Sequence, residues 1–516
     1  MKTKLLFLSA LLAVAACKTD KKESTVVLMP SDQEQIELAA TITEEELKEH
    51  LYTYASDDFE GRETGTEGQK KAVEYLVSQY SSLGIPMASG TANYLQKVPV
   101  TYTTAPSGSL SINDRSYAIG TDFVSFSAAT GTYEAVFVGY GIDTPEYSNY
   151  GDIDVEGKLV IAMAGEPQNE DGTYTLTNST TYSKWSNVSE ALPKRIEVAK
   201  SKGASGLIFV DQANFERYQR YFNYMKRNNS GQMRLAEEQP LFSAIFNPEK
   251  AQEWLASLDQ SLTQPLEQTV SIVIEGGSEL VDTENVVAVI EGIEKPEEYV
   301  IVSSHLDHIG IDAEGNINNG ADDDGSGTVA MLEIAEALAE AKARGKGPKR
   351  SVVFLHVTGE EKGLLGSEYY TDVAPLYPLE NTVTNLNIDM IGRIDPERDG
   401  DRNYIYLIGS DKLSTELHQL SEEMNSKFTQ LELDYTYNDE NDPNRFYYRS
   451  DHYNFAKNNI PIIFYFNGTH EDYHAHTDTP DKINYDLLTN RTRLVFHTLL
   501  EVANREERPK VDKQSE

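Results

Sequence analysis

The chain has 516 residues, with 83 acidic against 45 basic side chains and a formal net charge of −38. Such a surplus of carboxylates excludes a nucleic-acid surface, which needs clustered lysine and arginine against phosphate. A single cysteine excludes an internal disulfide and a thiolate metal cluster, and 39% hydrophobic residues over this length supply cores for two or three domains.

Lys2 and Lys4 precede an apolar run over 5–16 that is too short to span a bilayer as a stable helix. The run ends in Val14-Ala15-Ala16-Cys17, which resembles the lipobox of bacterial lipoprotein signals. That resemblance implies a signal peptide over 1–17, lipidation of Cys17, and an exported chain anchored to a bacterial membrane, at the outer membrane or cell surface. An ordinary signal peptide with an incidental cysteine is the alternative. The polar stretch 18–40 reads as a flexible tether.

Thr43 with Glu46 three residues on is a capping-box pattern, opening a helix over 43–54. The loop DDFEGRETGTEG then leads into an amphipathic helix over 67–83. Arg62 and Glu63 in that loop read as surface charges or a loop-locking ion pair. From 107 to 270 short strand-like runs alternate with turns, at 134–142, 158–165 and 206–211, with a helix over 193–202. This stretch holds no histidine and no clustered ligand motif, so it reads as a separate module without catalytic residues.

From 285 onward the pattern becomes strand–helix alternation. Strands are expected at 286–292, 299–304, 351–358, 383–390, 404–409 and 461–468, and helices at 326–344, 413–428 and 485–503. The expectation is an α/β fold: a mostly parallel twisted sheet flanked by helices. Ligands in such sheets gather beyond the carboxyl ends of the strands.

Four clusters occupy such ends. His305 and Asp307 follow the 299–304 strand, with Asp323 in the GADDDGSG loop; Glu360-Glu361 follow 351–358; Asp389 closes 383–390; His474 lies in DYHAHTDTPDKI. Singly each is weak, since paired glutamates are usually solvated and an aspartate closing a strand is usually a cap. GADDDGSG lacks the spacing and the glutamate of an EF-hand. Together they form a mixed nitrogen–oxygen donor set suited to a borderline divalent cation such as zinc.

The phrases SHLDH, GADDDGSG, TGEEKGLLGSEYY, NIDMIGR, RSDHYNF and YHAHTDTPDKINY resemble the co-catalytic zinc exopeptidases of the aminopeptidase and glutamate-carboxypeptidase family. GYGI, DVEGKLVIAMAGEP and KSKGASGLIFV resemble a protease-associated domain inserted in such enzymes. The resemblance implies a phosphorylase/hydrolase-like zinc-exopeptidase fold, divided as 41–106 and 271–507 for the catalytic domain, 107–270 for the insert and 508–516 for a polar tail. It implies two Zn2+: His305 and Asp389 on one, Glu361 and His474 on the other, Asp323 bridging through a cis peptide to Asp324. Glu360 would be the general base, Asp307 would hydrogen-bond His305 and fix its tautomer, and Tyr473 would stabilise the oxyanion.

His476, two residues beyond His474, is the alternative ligand, and the resemblance favours His474. His452 is expected at the rim of the site with its role open, while His308 and His356 read as ordinary loop and strand residues. Tyr447, Tyr448 and Arg449 lie in a loop that either touches substrate or packs on its own sheet. The activity expected is removal of N-terminal residues from peptides. A carboxypeptidase of the same family, a one-zinc glutaminyl cyclase and a binding ectodomain without catalysis are the alternatives.

Overall fold

The computed structural model describes residues 29–513 apart from 113–114, 152, 229, 237–239, 257–262 and 277. Cys17 and the expected signal segment lie outside the described residues. Among the described residues, no helix is long and apolar enough to cross a membrane.

Nine strands form the larger sheet: β1 (Leu95–Thr104), β2 (Gly231–Leu235), β3 (Ser278–Ile290), β4 (Lys295–His305), β5 (Arg350–Val357), β6 (Thr382–Ile388), β7 (Tyr404–Ile408), β8 (Glu432–Asp434) and β9 (Ile462–Phe466). Their order is β8-β7-β9-β6-β4-β5-β3-β1-β2. The central run β9-β6-β4-β5 is parallel, whereas β3, β1 and β2 add on antiparallel. The sheet is therefore mixed, with its parallel part where the ligand strands lie.

The apolar, β-branched central strands are buried on both faces, as parallel strands covered by helices must be. Along β4, Val300 and Val302 face one core while Ile301 between them faces the other, and all three are fully buried. The first core is closed by helices Glu44–Tyr54, Glu67–Ser82, Gly327–Ala343 and Tyr485–Asn504. Each such side chain contributes roughly 1.5–3 kcal/mol by leaving water.

A second, eight-stranded sheet is built from residues 107–275 and has its own cores on either face. Its strands Ala129–Val138, Leu159–Met163, Gly206–Val210 and Phe242–Phe246 run parallel in that order. Two features depart from the sequence reading. The segment 107–270 does not close on itself, because its β2 leaves to pair with β1 over Val100–Thr104. In the expected tether, Asp32–Ala39 is a helix, with Ser31 and Glu34 capping each other's backbone and Leu38 and Ala39 buried. Arg493 clamps it by donating to the Ala39 and Ile42 carbonyls. Its polar composition hides a contact face of only a few residues.

Candidate metal centre

Because β9, β6, β4 and β5 run in parallel, their carboxyl ends share one edge. His305 ends β4, Asp389 follows β6 directly, Glu360 and Glu361 follow β5, and the loop after β9 carries His474. The loop after β4 returns through Asp322, Asp323 and Asp324 into helix Gly327–Ala343, and the Asp323–Asp324 peptide is cis, as the resemblance implies.

Asp323 stands in the middle. Its Oδ1 lies 3.1 Å from His305 Nε2, and its Oδ2 lies 3.1 Å from His474 Nε2. His305 Nε2 is also 3.6 Å from Asp389 Oδ1, and His474 Nε2 is 3.2 Å from Glu361 Oε2. Two donor atoms each about 2.0–2.1 Å from one tetrahedral zinc sit about 3.3 Å apart. The five residues therefore make two lobes with that spacing, joined by one carboxylate. Moreover, His305 Nε2 and Asp323 Oδ2 are buried and have no hydrogen-bond partner among the described residues. Three converging carboxylates and two imidazoles fit a pair of divalent cations with nitrogen and oxygen preference.

Asp324 also lies within reach of His305 and Asp389. Its carboxylate, however, accepts backbone N–H groups from His305 (3.2 Å), Gly327 (2.9 Å) and Met390 (3.1 Å). Those bonds occupy it as a brace. Asp322 similarly accepts from the Gly392 backbone (2.7 Å) and pairs with His470 at 3.1 Å. Both are scaffold, and Asp323 is the one left to face outward.

The remaining predicted residues are placed as follows. Asp307 meets His305 through its backbone carbonyl, 3.0 Å from Nδ1, while its carboxylate stands 4.0 Å away. That carboxylate instead takes the Thr64 hydroxyl (2.8 Å) and the Glu360 backbone N–H (3.2 Å), so the expected carboxylate–histidine contact is replaced by a carbonyl. Glu360 borders the pocket beside Asp323 and Asp389. Burial, aided by the charges of Glu361, Asp389 and Asp451, pushes its carboxyl well above the ordinary range. Burial and the Asp323 charge act the same way on Glu361, but hydrogen bonds from His308 and His474 prevail and hold it at about 2. The adjacent glutamates are thus driven apart electrostatically, one toward holding a proton and the other toward staying ionised. The Tyr473 ring stacks on His474 at 3.9 Å, and its hydroxyl accepts from Arg449 at 3.3 Å.

Several residues differ from their sequence reading. Arg62 is 1% exposed and donates to the carbonyls of Asn319 (2.6 Å), Gly320 (2.9 Å) and Asp323 (3.5 Å), locking the ligand loop from the N-terminal segment. His452 is fully buried beneath the site, stacked on Phe464 and hydrogen-bonded to the Tyr447 carbonyl at 2.8 Å, and burial lowers it to about 3. It is a neutral brace, away from the rim. His476 is exposed. His308 is fully buried with Nδ1 2.9 Å from Glu361 Oε1, a residue the local sequence gave no reason to single out. The pocket over the cluster is walled by Met390, Phe446, Phe464 and Phe466, with Arg449 and Ser450 beside them; Tyr447 and Tyr448 line a different depression.

Residues 285–499, which contain all five ligand candidates, match the model of Peptidase family M28. An aminopeptidase, NAALADL1, of Rattus norvegicus is 33% identical over 127 residues. A probable glutamate carboxypeptidase, LAMP1, of Arabidopsis thaliana is 34% identical over 114 residues. The matches cover 24% and 22% of this chain, and the chain spans only 16% of the length of either relative. Among solved structures, the aminopeptidase from Aneurinibacillus sp. strain AM-1 is 18% identical with a TM-score of 0.47, over 94% of this chain and 99% of that one.

Proposed function

We propose that the protein is a dizinc exopeptidase that removes N-terminal residues from peptides. The observation that carries this reading is the two-lobed ligand set with Asp323 shared between its histidines at 3.1 Å on either side. In this reading His305 and Asp389 hold one zinc, Glu361 and His474 the other. Two zinc ions there would supply Lewis acidity to the scissile carbonyl and lower the pKa of a shared water.

The chain's own residues do the rest. Glu360, not tied up as a ligand and raised by burial, takes the proton of the attacking water and returns it to the leaving amine. The Tyr473 hydroxyl, oriented by Arg449, donates to the oxygen on which negative charge develops. Phe446, Phe464, Phe466 and Met390 offer the pocket an apolar wall for the first side chain. Substrates with an apolar or aromatic N-terminal residue fit best.

One observation favours a second reading. Arg449 borders the same pocket, where a guanidinium pairs well with a terminal carboxylate, as a carboxypeptidase requires. Rates on leucyl- and phenylalanyl-anilides against N-acetylated peptides with free C-termini separate the two. Hydrolysis of the anilides alone is expected, and cleavage confined to the blocked peptides overturns the aminopeptidase reading. The two lobes support a dizinc enzyme over a one-metal cyclase, and the full ligand set supports catalysis over a binding ectodomain. The segment 107–270 is, in this proposal, a protease-associated-type insert. Cys17, from its sequence context, carries the lipid anchor; release of a Cys17→Ala variant from the membrane fraction tests that.

A further inference from the structure

The two lobes treat their terminal carboxylates alike, and that likeness exposes a residue without an assigned role. In the first lobe, Asp389 turns Oδ1 toward His305 and receives the Ser450 hydroxyl on Oδ2 at 2.6 Å. In the second, Glu361 turns Oε2 toward His474 and meets His308 Nδ1 with Oε1 at 2.9 Å. Each carboxylate thus has one oxygen tied to a side-chain donor and one left facing the cation position.

His308 is placed for this with little freedom. Its backbone N–H donates to the Arg62 carbonyl at 3.2 Å, and it bridges to Glu63. Its ring lies flat on Gly320, where an added Cβ would sit 2.6 Å from Cδ2 and where φ is +56. Only glycine suits that position. The ring is fully buried, and its Nε2 has no hydrogen-bond partner among the described residues. A neutral ring therefore keeps its one proton at Nδ1, where Glu361 accepts it.

His308, Asp323 and Glu361 also lie close enough together to hold an ion, and the distances favour a positioning residue over a sixth ligand. The 2.9 Å separation of His308 Nδ1 from Glu361 Oε1 is a hydrogen-bond length, shorter than the about 3.3 Å between two ligands of one zinc. Nδ1 is 3.8 Å from Asp323 Oδ2, longer than the 3.1 Å by which His474 reaches the same atom. We propose that His308 is a positioning residue for the second lobe: its Nδ1–H fixes Glu361 Oε1, so that Oε2 alone is presented to the cation held with His474. This rests on the dizinc reading above. The second lobe needs such help more than the first, because His474 is 37% exposed where His305 is 1% exposed.

The test is zinc binding by the full chain, titrated against a chromophoric chelator, in wild type and in His308→Ala, His308→Asn and His308→Gln. Zinc alone is the probe, so the readout does not depend on activity. Wild type is expected to take two equivalents. His308→Ala should lose about 10–100-fold in affinity for one equivalent and leave the other unchanged. His308→Asn, whose amide nitrogen falls where Nδ1 was, should recover most of the loss; His308→Gln, which keeps bulk but displaces the donor, should not. Wild-type affinity for both equivalents in His308→Ala, or equal affinities in the Asn and Gln variants, would overturn the inference. A wild-type chain binding fewer than two equivalents would instead overturn the dizinc reading, and this inference with it.

Discussion

Glu360 and Glu361 are adjacent, chemically identical and both partly buried, yet they are driven in opposite directions. Glu361 has two imidazole partners at 2.9 and 3.2 Å, while Glu360 is anchored through its backbone N–H to Asp307. Replacing Glu360 by Gln should therefore cut turnover by roughly 10²–10⁴-fold while zinc stoichiometry stays at wild type; full activity in that variant would remove Glu360 from the base role. Thr64→Val is the complementary change. It keeps the shape and deletes the one hydroxyl that Asp307 accepts, at 2.8 Å. A loss of about 1–3 kcal/mol in stability is expected, with a fall in activity because Asp307 also anchors Glu360 and His305; thermal melts and anilide rates measure both. At this scale the sequence was informative about which residues converge and silent about which polar groups are buried. The four clusters stand out by their places at strand ends or in the loops after them, and the choice of five ligands among them comes from the resemblance. Arg62 and His308 do not stand out, because their partners lie 257 and 53 residues away and nothing in the local pattern encodes them.

Helix Gly327–Ala343 begins where the ligand loop ends, and it is buried along most of its length. It carries Glu333, 2% exposed, with one oxygen lacking a hydrogen-bond partner among the described residues and His50 Nε2 at 3.5 Å. Burial, with the charges of Glu46 and Glu336, raises this carboxyl from 4.5 to about 8. The folded chain then binds a proton that the unfolded chain has released across the window from about 4.5 to 8, so this group makes stability fall as pH rises through it. Glu333→Gln removes the titration. Its melting temperature should match wild type near pH 4.5 and exceed it above pH 8, by the equivalent of ~1–4 kcal/mol; a difference independent of pH would contradict the shift. Elements of this kind were legible where apolar periodicity is strong, as in β4, β5, β6 and β9. Helix Asp32–Ala39 and strand β2 were not, since one buries only a few residues and the other takes its stability from a partner far away in sequence.

For the whole molecule, the centre concentrates Asp323, Glu361 and Asp389 within a chain of net charge −38. Bare, these carboxylates repel one another at short range. Stripping zinc with a chelator should lower the melting temperature, and re-addition should restore it with a dependence on free zinc of about 4 kcal/mol at a thousand times Kd. Calorimetry across a zinc series checks this. If the chelated chain melted as the loaded one does, the cluster would not be a metal site.

Gly231–Leu235 leaves the sheet of its own segment to shield the border of another. Strand β1 is ten residues long, and its outer side over Val100–Thr104 is covered by β2 alone. Removing 107–275 to obtain a minimal enzyme would leave that row of amide and carbonyl groups without partners, on a strand whose Val98 and Val100 face a core. An unshielded strand border of this sort is a template for pairing with another copy. A chain truncated in that way should self-associate in light scattering even if its zinc ligands were intact, whereas one retaining 231–235 on a short linker should stay monomeric.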